Sequence, residues 1–137
     1  MTNLILFVSD DDRGDSPLKV ALTRMAPQFR VELVTSQVEI EALCNPSLIL
    51  FDLKLSHEPA FELLRWLRTD QRYRQIPLFV VTPRTDDVTN AYALGADSCL
   101  LRQPSQRLEP IAQGIAAYAS LIAEPSPGYT SLASATV

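Results

Sequence analysis

The chain is poor in the nitrogen and sulfur side chains that build most metal and covalent sites. In 137 residues it has one histidine, His57, and two cysteines, Cys44 and Cys99. The two thiols fall at no metal-ligand spacing and make no disulfide framework. Zinc sites and histidine-based catalysis are therefore set aside. Cationic excess is lacking as well: twelve Lys and Arg face sixteen Asp and Glu, for a formal net charge of −4. No electrostatic footprint for direct nucleic-acid binding is present. Arg65, Arg68, Arg72 and Arg74 cluster, but Glu58, Glu62 and Asp70 stand among them, as on a solvated helix face. No apolar run approaches the roughly 20 residues that a bilayer-spanning helix needs. The N-terminus has neither the basic start nor the cleavage signal of an export peptide. The expectation is a cytoplasmic chain without membrane contact.

What is present is an ordinary globular composition, 47% hydrophobic and 20% charged. A single domain of this size buries roughly two-thirds of its unfolded surface. Short apolar runs near residues 4 to 9, 31 to 35, 47 to 52, 77 to 82 and 98 to 102 alternate with helix-like stretches. That alternation predicts an α/β fold with a parallel sheet. The near-continuous Leu, Ile, Val and Phe of the first, third and fourth runs predict strands covered on both faces.

Helix signals fill the intervals. Ser16-Pro17 supplies an N-cap and a proline at the first helical position, and Ser36 with Glu39 matches a capping box. Phe61, Leu64 and Leu67 line one face of a third helix, and Thr85-Asp86-Asp87 opens a fourth that Gly95 closes. In the last helix Leu108, Ile111, Ile115, Tyr118 and Ile122 recur at spacings of three and four, a stripe expected to face the sheet. The opposite side carries Ala112, Ala116, Ala119 and Ala123. These could admit a second helix and form a homodimer, although alanine as a plain helix former is the commoner meaning. The domain is expected over 1–123, with a flexible tail over 124–137 that is small, polar and proline-containing.

The acids lie at the ends of strands. Asp10, Asp11 and Asp12 close the run Leu4 to Val8, and Asp52 closes the run Leu48 to Phe51. If the two runs are neighbouring parallel strands, their carboxyl ends share the edge where open α/β sheets keep ligands. Mg²⁺ prefers oxygen ligands and is placed by one or two carboxylates plus a substrate phosphate, which Asp10, Asp11 and Asp52 could supply. A carboxylate can also accept a phosphoryl group when cations and hydrogen-bond donors neutralise the incoming charge. Asp52 is the candidate nucleophile. Thr82 ends the fourth run as Asp52 ends the third, so its hydroxyl is expected at the same edge. Taken singly, each residue has a plainer meaning: a solvated acidic loop ahead of a helix, a capped turn, a β-branched strand end. Their coincidence favours a site.

On these residues the chain resembles the response-regulator receiver domains of two-component signalling, over about residues 3 to 122. The likeness is carried by Val8-Ser-Asp-Asp-Asp-Arg-Gly-Asp15, Leu48-Ile-Leu-Phe-Asp-Leu-Lys-Leu55, Ile76-Pro-Leu-Phe-Val-Val-Thr82 and Ala91-Tyr-Ala-Leu-Gly-Ala-Asp97. Gly14-Asp15, Ile76-Pro77 and the Ala91 to Ala96 string look most like small single-domain regulators, of the chemotaxis-receiver kind, that partner bacterial phytochromes. The resemblance implies a flavodoxin-like doubly wound sheet of order 2-1-3-4-5. It implies that Asp52 accepts phosphate from a sensor histidine kinase while Asp10 and Asp11 hold Mg²⁺, and that Thr82 is the switch hydroxyl. Output would be altered contact with a downstream protein rather than turnover.

This chain departs from the pattern at several positions. Where the family carries a lysine that pairs with the phosphoryl group, followed by proline, the chain reads Leu101-Arg102-Gln103-Pro104. Counting from Gly95 puts Arg102 at that position; adjacency to proline puts Gln103 there. Arginine keeps the charge but is a planar fork rather than a compact point charge. After Asp52, Ser56 and Ala60 replace the usual proline and glycine, and Lys54 occupies a position whose side chain points at the site. Its ammonium could act as a phosphate ligand, or could neutralise the pocket and weaken Mg²⁺ binding. Cys99 falls where many receivers place a switch aromatic, and is read as a small buried residue. These departures keep open a rival, a pseudo-receiver acting as a phosphorylation-independent interaction module. An aspartyl phosphatase would want a second acid where Lys54 stands. In a flavodoxin, Asp10 to Asp12 would repel the flavin phosphate.

Overall fold

The computed structural model describes residues 3–11, 16–43, 45–54, 58–103 and 107–123. Asp12, Cys44, Ser56, His57, Pro104 and the tail over 124–137 lie outside the described residues. The elements follow in strict alternation: β1 (Asn3–Ser9), α1 (Pro17–Met25), β2 (Phe29–Val34), α2 (Gln37–Glu41), β3 (Leu48–Asp52), α3 (Glu58–Thr69), β4 (Leu78–Thr82), α4 (Thr85–Ala93), β5 (Ser98–Leu101) and α5 (Glu109–Ala123). The five strands form one sheet of order β2-β1-β3-β4-β5. Every strand pair is parallel. This is the flavodoxin-like doubly wound arrangement that the resemblance implied, built on the parallel sheet that the alternation of apolar runs and helices predicts.

The apolar runs build two cores because successive strand residues point to opposite faces. Ile5, Phe7, Leu48, Leu50 and Val81 pack on one side with Leu18, Leu22 and Ile115. Leu6, Val8, Ile49, Phe51 and Val80 pack on the other with Ile40, Leu64 and Leu67. All of these strand residues are fully buried. A large aliphatic or aromatic side chain contributes roughly 1.5–3 kcal/mol when taken fully out of water, so the two layers rather than the short helices dominate the stability.

The helix starts follow their caps. Ser16 accepts from Lys19 N and Pro17 begins α1. Ser36 accepts from Glu39 N, but Glu39 reaches back past the cap: its Oε1 accepts from the backbone N and hydroxyl of Thr35 as well as from the Ser36 hydroxyl. These bonds hold the Glu39 carboxyl below its ordinary pKa.

The last helix corrects the expectation from its stripe. Ala112, Ala116 and Ala119 are buried and join the core that holds α1 residues Ala21 and Leu22. Tyr118, by contrast, is 38% exposed. Leu108, Ile111 and Ile122 are only partly buried against the core, and Ile115 alone of the large stripe is fully inside. The small alanines let the helix sit close to its neighbours within this chain, so they are not free to form a dimer seam.

One turn is held from two directions. Gly95 has φ of 112°, and the α4 end is closed by Gly95 N donating to Tyr92 O and Ala96 N donating to Ala91 O. Arg68 crosses beneath it, donating to the carbonyls of Tyr73 and Ile76 at 2.8 and 2.6 Å. A Cβ on Gly95 would lie 2.7 Å from Arg68 Cγ and Cδ. Gly95→Ala is expected to lose about 1–3 kcal/mol through backbone strain, read as a lower urea midpoint at unchanged slope. An unchanged midpoint would show that the turn is not constrained.

Candidate functional site

The order of the sheet places its switch point between β1 and β3, whose crossovers lead in opposite directions, and parallel register sets the strand ends level there. Ser9 pairs with Asp52, Asp52 with Val81, and Thr82 with Leu101. Asp52 is therefore a strand-end acid with strands on both sides, and it is 0% exposed. The chain leaving β1 is tied to it: Asp10 N donates to Asp52 O at 3.4 Å. Asp11 N donates to Ser9 Oγ, and that hydroxyl donates to Asp11 O, both at 3.1 Å.

Two cations flank the buried carboxylate, one at each oxygen. Arg102 Nη2 lies 3.5 Å from Oδ1, and Lys54 Nζ lies 4.0 Å from Oδ2. Ser16 Oγ donates to Oδ2 at 3.4 Å, so the residue that caps α1 also touches the acid. Oδ1 has no hydrogen-bond partner among the described residues. Asp10 Oδ1 accepts from the backbone N of Lys54 at 2.7 Å, which draws the end of β1 onto the loop after β3. Burial raises the Asp52 pKa above its ordinary 3.8; Arg102, Lys54 and Ser16 pull it down and the charge of Asp10 pushes it up, but burial prevails. The stability contribution of Asp52 is thus fully present below that ordinary value and is lost as pH rises through the raised one.

Of the two residues that adjacency to Pro104 and distance from Gly95 singled out, Arg102 is the one whose side chain reaches Asp52; Gln103 is exposed. The Arg102 backbone N also donates to Thr82 O at 2.7 Å. Thr82 is fully buried. Its hydroxyl donates to Asp87 Oδ2 at 2.8 Å and accepts from Arg84 N at 3.2 Å. Asp87, expected only as part of a helix start, is 6% exposed and faces inward from the first turn of α4. Burial, and secondarily the charge of Asp87, raises the Cys99 thiol above its ordinary pKa, so this half-buried cysteine stays a thiol rather than a reactive thiolate.

Two contacts at the site went unread in the sequence, Ser16 to Asp52 and Thr82 to Asp87. Ser16 carried a signal only for its cap. Asp87 lies five positions after Thr82 across a turn, a spacing with no sequence rule behind it. No three His, Cys, Asp or Glu side chains among the described residues gather closely enough to hold a metal by themselves. The donor set that does converge is Asp10 and Asp52, and one or two carboxylates completed by water and phosphate oxygens are what Mg²⁺ ordinarily takes. Asp52 Oδ1, ion-paired with Arg102 but accepting no hydrogen bond among the described residues, keeps acceptor capacity for that set. A divalent cation therefore fits the chemistry of the residues present.

No protein-family model matches the chain. Among curated proteins it is 33% identical over 108 residues to the transcriptional regulatory protein GltR of Pseudomonas aeruginosa, covering 75% of this chain and 44% of GltR. It thus spans less than half of that relative. It is 28% identical over 109 residues to the polar-differentiation response regulator DivK of Brucella ovis, covering 75% of this chain and 78% of DivK. Among solved structures it is similar to the phosphorylated cyanobacterial phytochrome response regulator RcpA, with a TM-score of 0.73 at 24% identity over 92% of this chain and all of RcpA. The Mn²⁺-bound response regulator Rcp1 gives 0.64 at 24% identity over 85% of this chain and 93% of Rcp1. Those superpositions establish the fold. Joined to sequence relatives that are themselves response regulators, they place this chain among the response-regulator receiver domains of two-component signalling.

Proposed function

We propose that the domain is a phosphorylation-dependent switch in which Asp52 accepts a phosphoryl group from the phosphohistidine of a sensor histidine kinase. The observation that carries this reading is Asp52 itself: a desolvated carboxylate at the switch point, with a cation beside each oxygen and one oxygen that accepts no hydrogen bond among the described residues. An Asp52 oxygen attacks phosphorus, the P–N bond breaks, and the leaving imidazole takes up a proton. Asp10, Asp11 and Asp52, completed by water, would hold Mg²⁺, which would supply positive charge to offset that of the carboxylates and the phosphoryl group. Arg102 and Lys54 neutralise the developing phosphoryl oxygens as preorganised cations.

The output is binding rather than turnover. To hold the new phosphoryl group, the Thr82 hydroxyl must release Asp87, and α4 carries Asp87 in its first turn. A two-state shift in β4 and α4 would follow, favouring one of two pre-existing arrangements. The surface beside them suits a protein partner. An apolar groove of about 440 Å³ is lined by Phe79, Leu100, Ile111, Ile115 and Tyr118. The kinase is of phytochrome type on the strength of the Gly14-Asp15 and Ala91 to Ala96 strings and of the likeness to RcpA. No helix among the described residues is long and apolar enough to cross a membrane, in keeping with a cytoplasmic site of action.

One set of contacts favours a second reading, a phosphorylation-independent docking module: both Asp52 oxygens already face protein cations, and Thr82 is already engaged. Incubation with Mg²⁺ and acetyl phosphate, followed by intact-mass spectrometry, separates the two. The expected result is one added phosphoryl group on the wild type and none on Asp52→Asn. A folded wild type that stays unmodified would establish the docking module instead.

A further inference from the structure

We propose that Lys54 is a built-in counter-ion that competes with the divalent cation for Asp52, so that the site takes up metal weakly until the ammonium is displaced. The inference rests on the metal site proposed above. Its starting point is a charge balance. Asp10, Asp11 and Asp52 bring three negative charges, and Lys54 and Arg102 bring two positive ones, both placed on Asp52. Much of the acids' charge is offset before any ion arrives.

The two cations are not equivalent. Arg102 approaches Oδ1 from the end of β5. Lys54 approaches Oδ2, and its own backbone N–H binds Oδ1 of Asp10. Lys54 is thus tied to both candidate ligands, through its ammonium at Asp52 and its backbone N–H at Asp10. Its side chain is only 22% exposed and Asp52 is 0% exposed, so solvent and salt screen the pair less than they would a surface ion pair. Lysine also suits a displaceable counter-ion. Its ammonium is compact and strongly hydrated on a flexible four-carbon stem, whereas a guanidinium binds as a rigid fork. By linkage, whatever free energy the ammonium gains from Asp52 is withheld from an incoming cation that uses the same oxygens.

The test is a direct binding measurement. Mn²⁺ is titrated into wild type, Lys54→Met, Lys54→Arg and the double variant Lys54→Met/Asp52→Asn, with free Mn²⁺ read by electron paramagnetic resonance and folding checked by circular dichroism. Methionine keeps the apolar stem and leaves the backbone N–H on Asp10. Lys54→Met should bind Mn²⁺ at least tenfold more tightly than wild type, Lys54→Arg should stay weak, and the double variant should lose the gain. Equal affinity of wild type and Lys54→Met would overturn the role of Lys54 while leaving the metal site standing. Absence of binding by both, each being folded, would remove the metal site itself and the inference with it.

Discussion

The structure turns on a single carboxylate that is kept out of water. Asp52 sits at the end of the central strand with no solvent exposure, and a buried charge persists only where nearby charges and dipoles offset its lost hydration. The chain supplies these from four places: the cap of α1 through Ser16, the loop after β3 through Lys54, the end of β5 through Arg102, and the end of β1, whose Asp10 is drawn in through Lys54 N. None of the four elements is adjacent in sequence to all the others. The parallel sheet brings them together, because crossover connections return each strand's carboxyl end to the same edge. The offset is incomplete, since burial still lifts the Asp52 pKa. An acid left partly uncompensated in this way is ready for a ligand that brings both charge and donors.

Arg102 links this acid to the rest of the molecule. Its guanidinium faces Asp52 while its backbone N–H holds the carbonyl of Thr82, so the ends of β3, β4 and β5 form one connected set. The Thr82 hydroxyl has a single proton to give, and Asp87 holds it. Any group that arrives at Asp52 and claims that proton competes with the first turn of α4. Tyr92, further along α4, accepts a hydrogen bond from Cys99 N of β5, so a movement of α4 would reach the edge strand and the groove beside α5. The aromatic that touches β5 here comes from α4 rather than from the strand, where Cys99 stands.

Much of this was legible in the sequence because its causes are local. Runs of Leu, Ile, Val and Phe can only be strands covered on both faces when they are this short and this evenly spaced, and Ser16-Pro17 can hardly be anything but a helix start. The acids and Thr82 announced the edge because each ends such a run. What escaped depended on packing. The spacing of large apolar residues picks out one stripe of α5, whereas the helix lies against both α1 and the sheet and needs small residues there; Ala112 and Ala119 are inside and Tyr118 is not. Strand β2 begins at Phe29, earlier than its apolar run suggests, because Phe29 pairs with Asn3. The choice between Arg102 and Gln103 could not be made by counting, since Gly95 and Pro104 gave different answers; the pairing of Thr82 with Leu101 decides which side chain follows at the site.

The central claim is that Asp52 is a buried acid whose charge is offset mainly by Arg102. The most direct measurement is the carbon-13 NMR titration of the Asp52 side-chain carboxyl in wild type and in Arg102→Gln, assigned by comparison with Asp52→Asn. The account predicts a midpoint above the ordinary aspartate value in the wild type and a higher one still in Arg102→Gln. An ordinary midpoint in both proteins would contradict it, because Asp52 would then be neither desolvated nor held by Arg102.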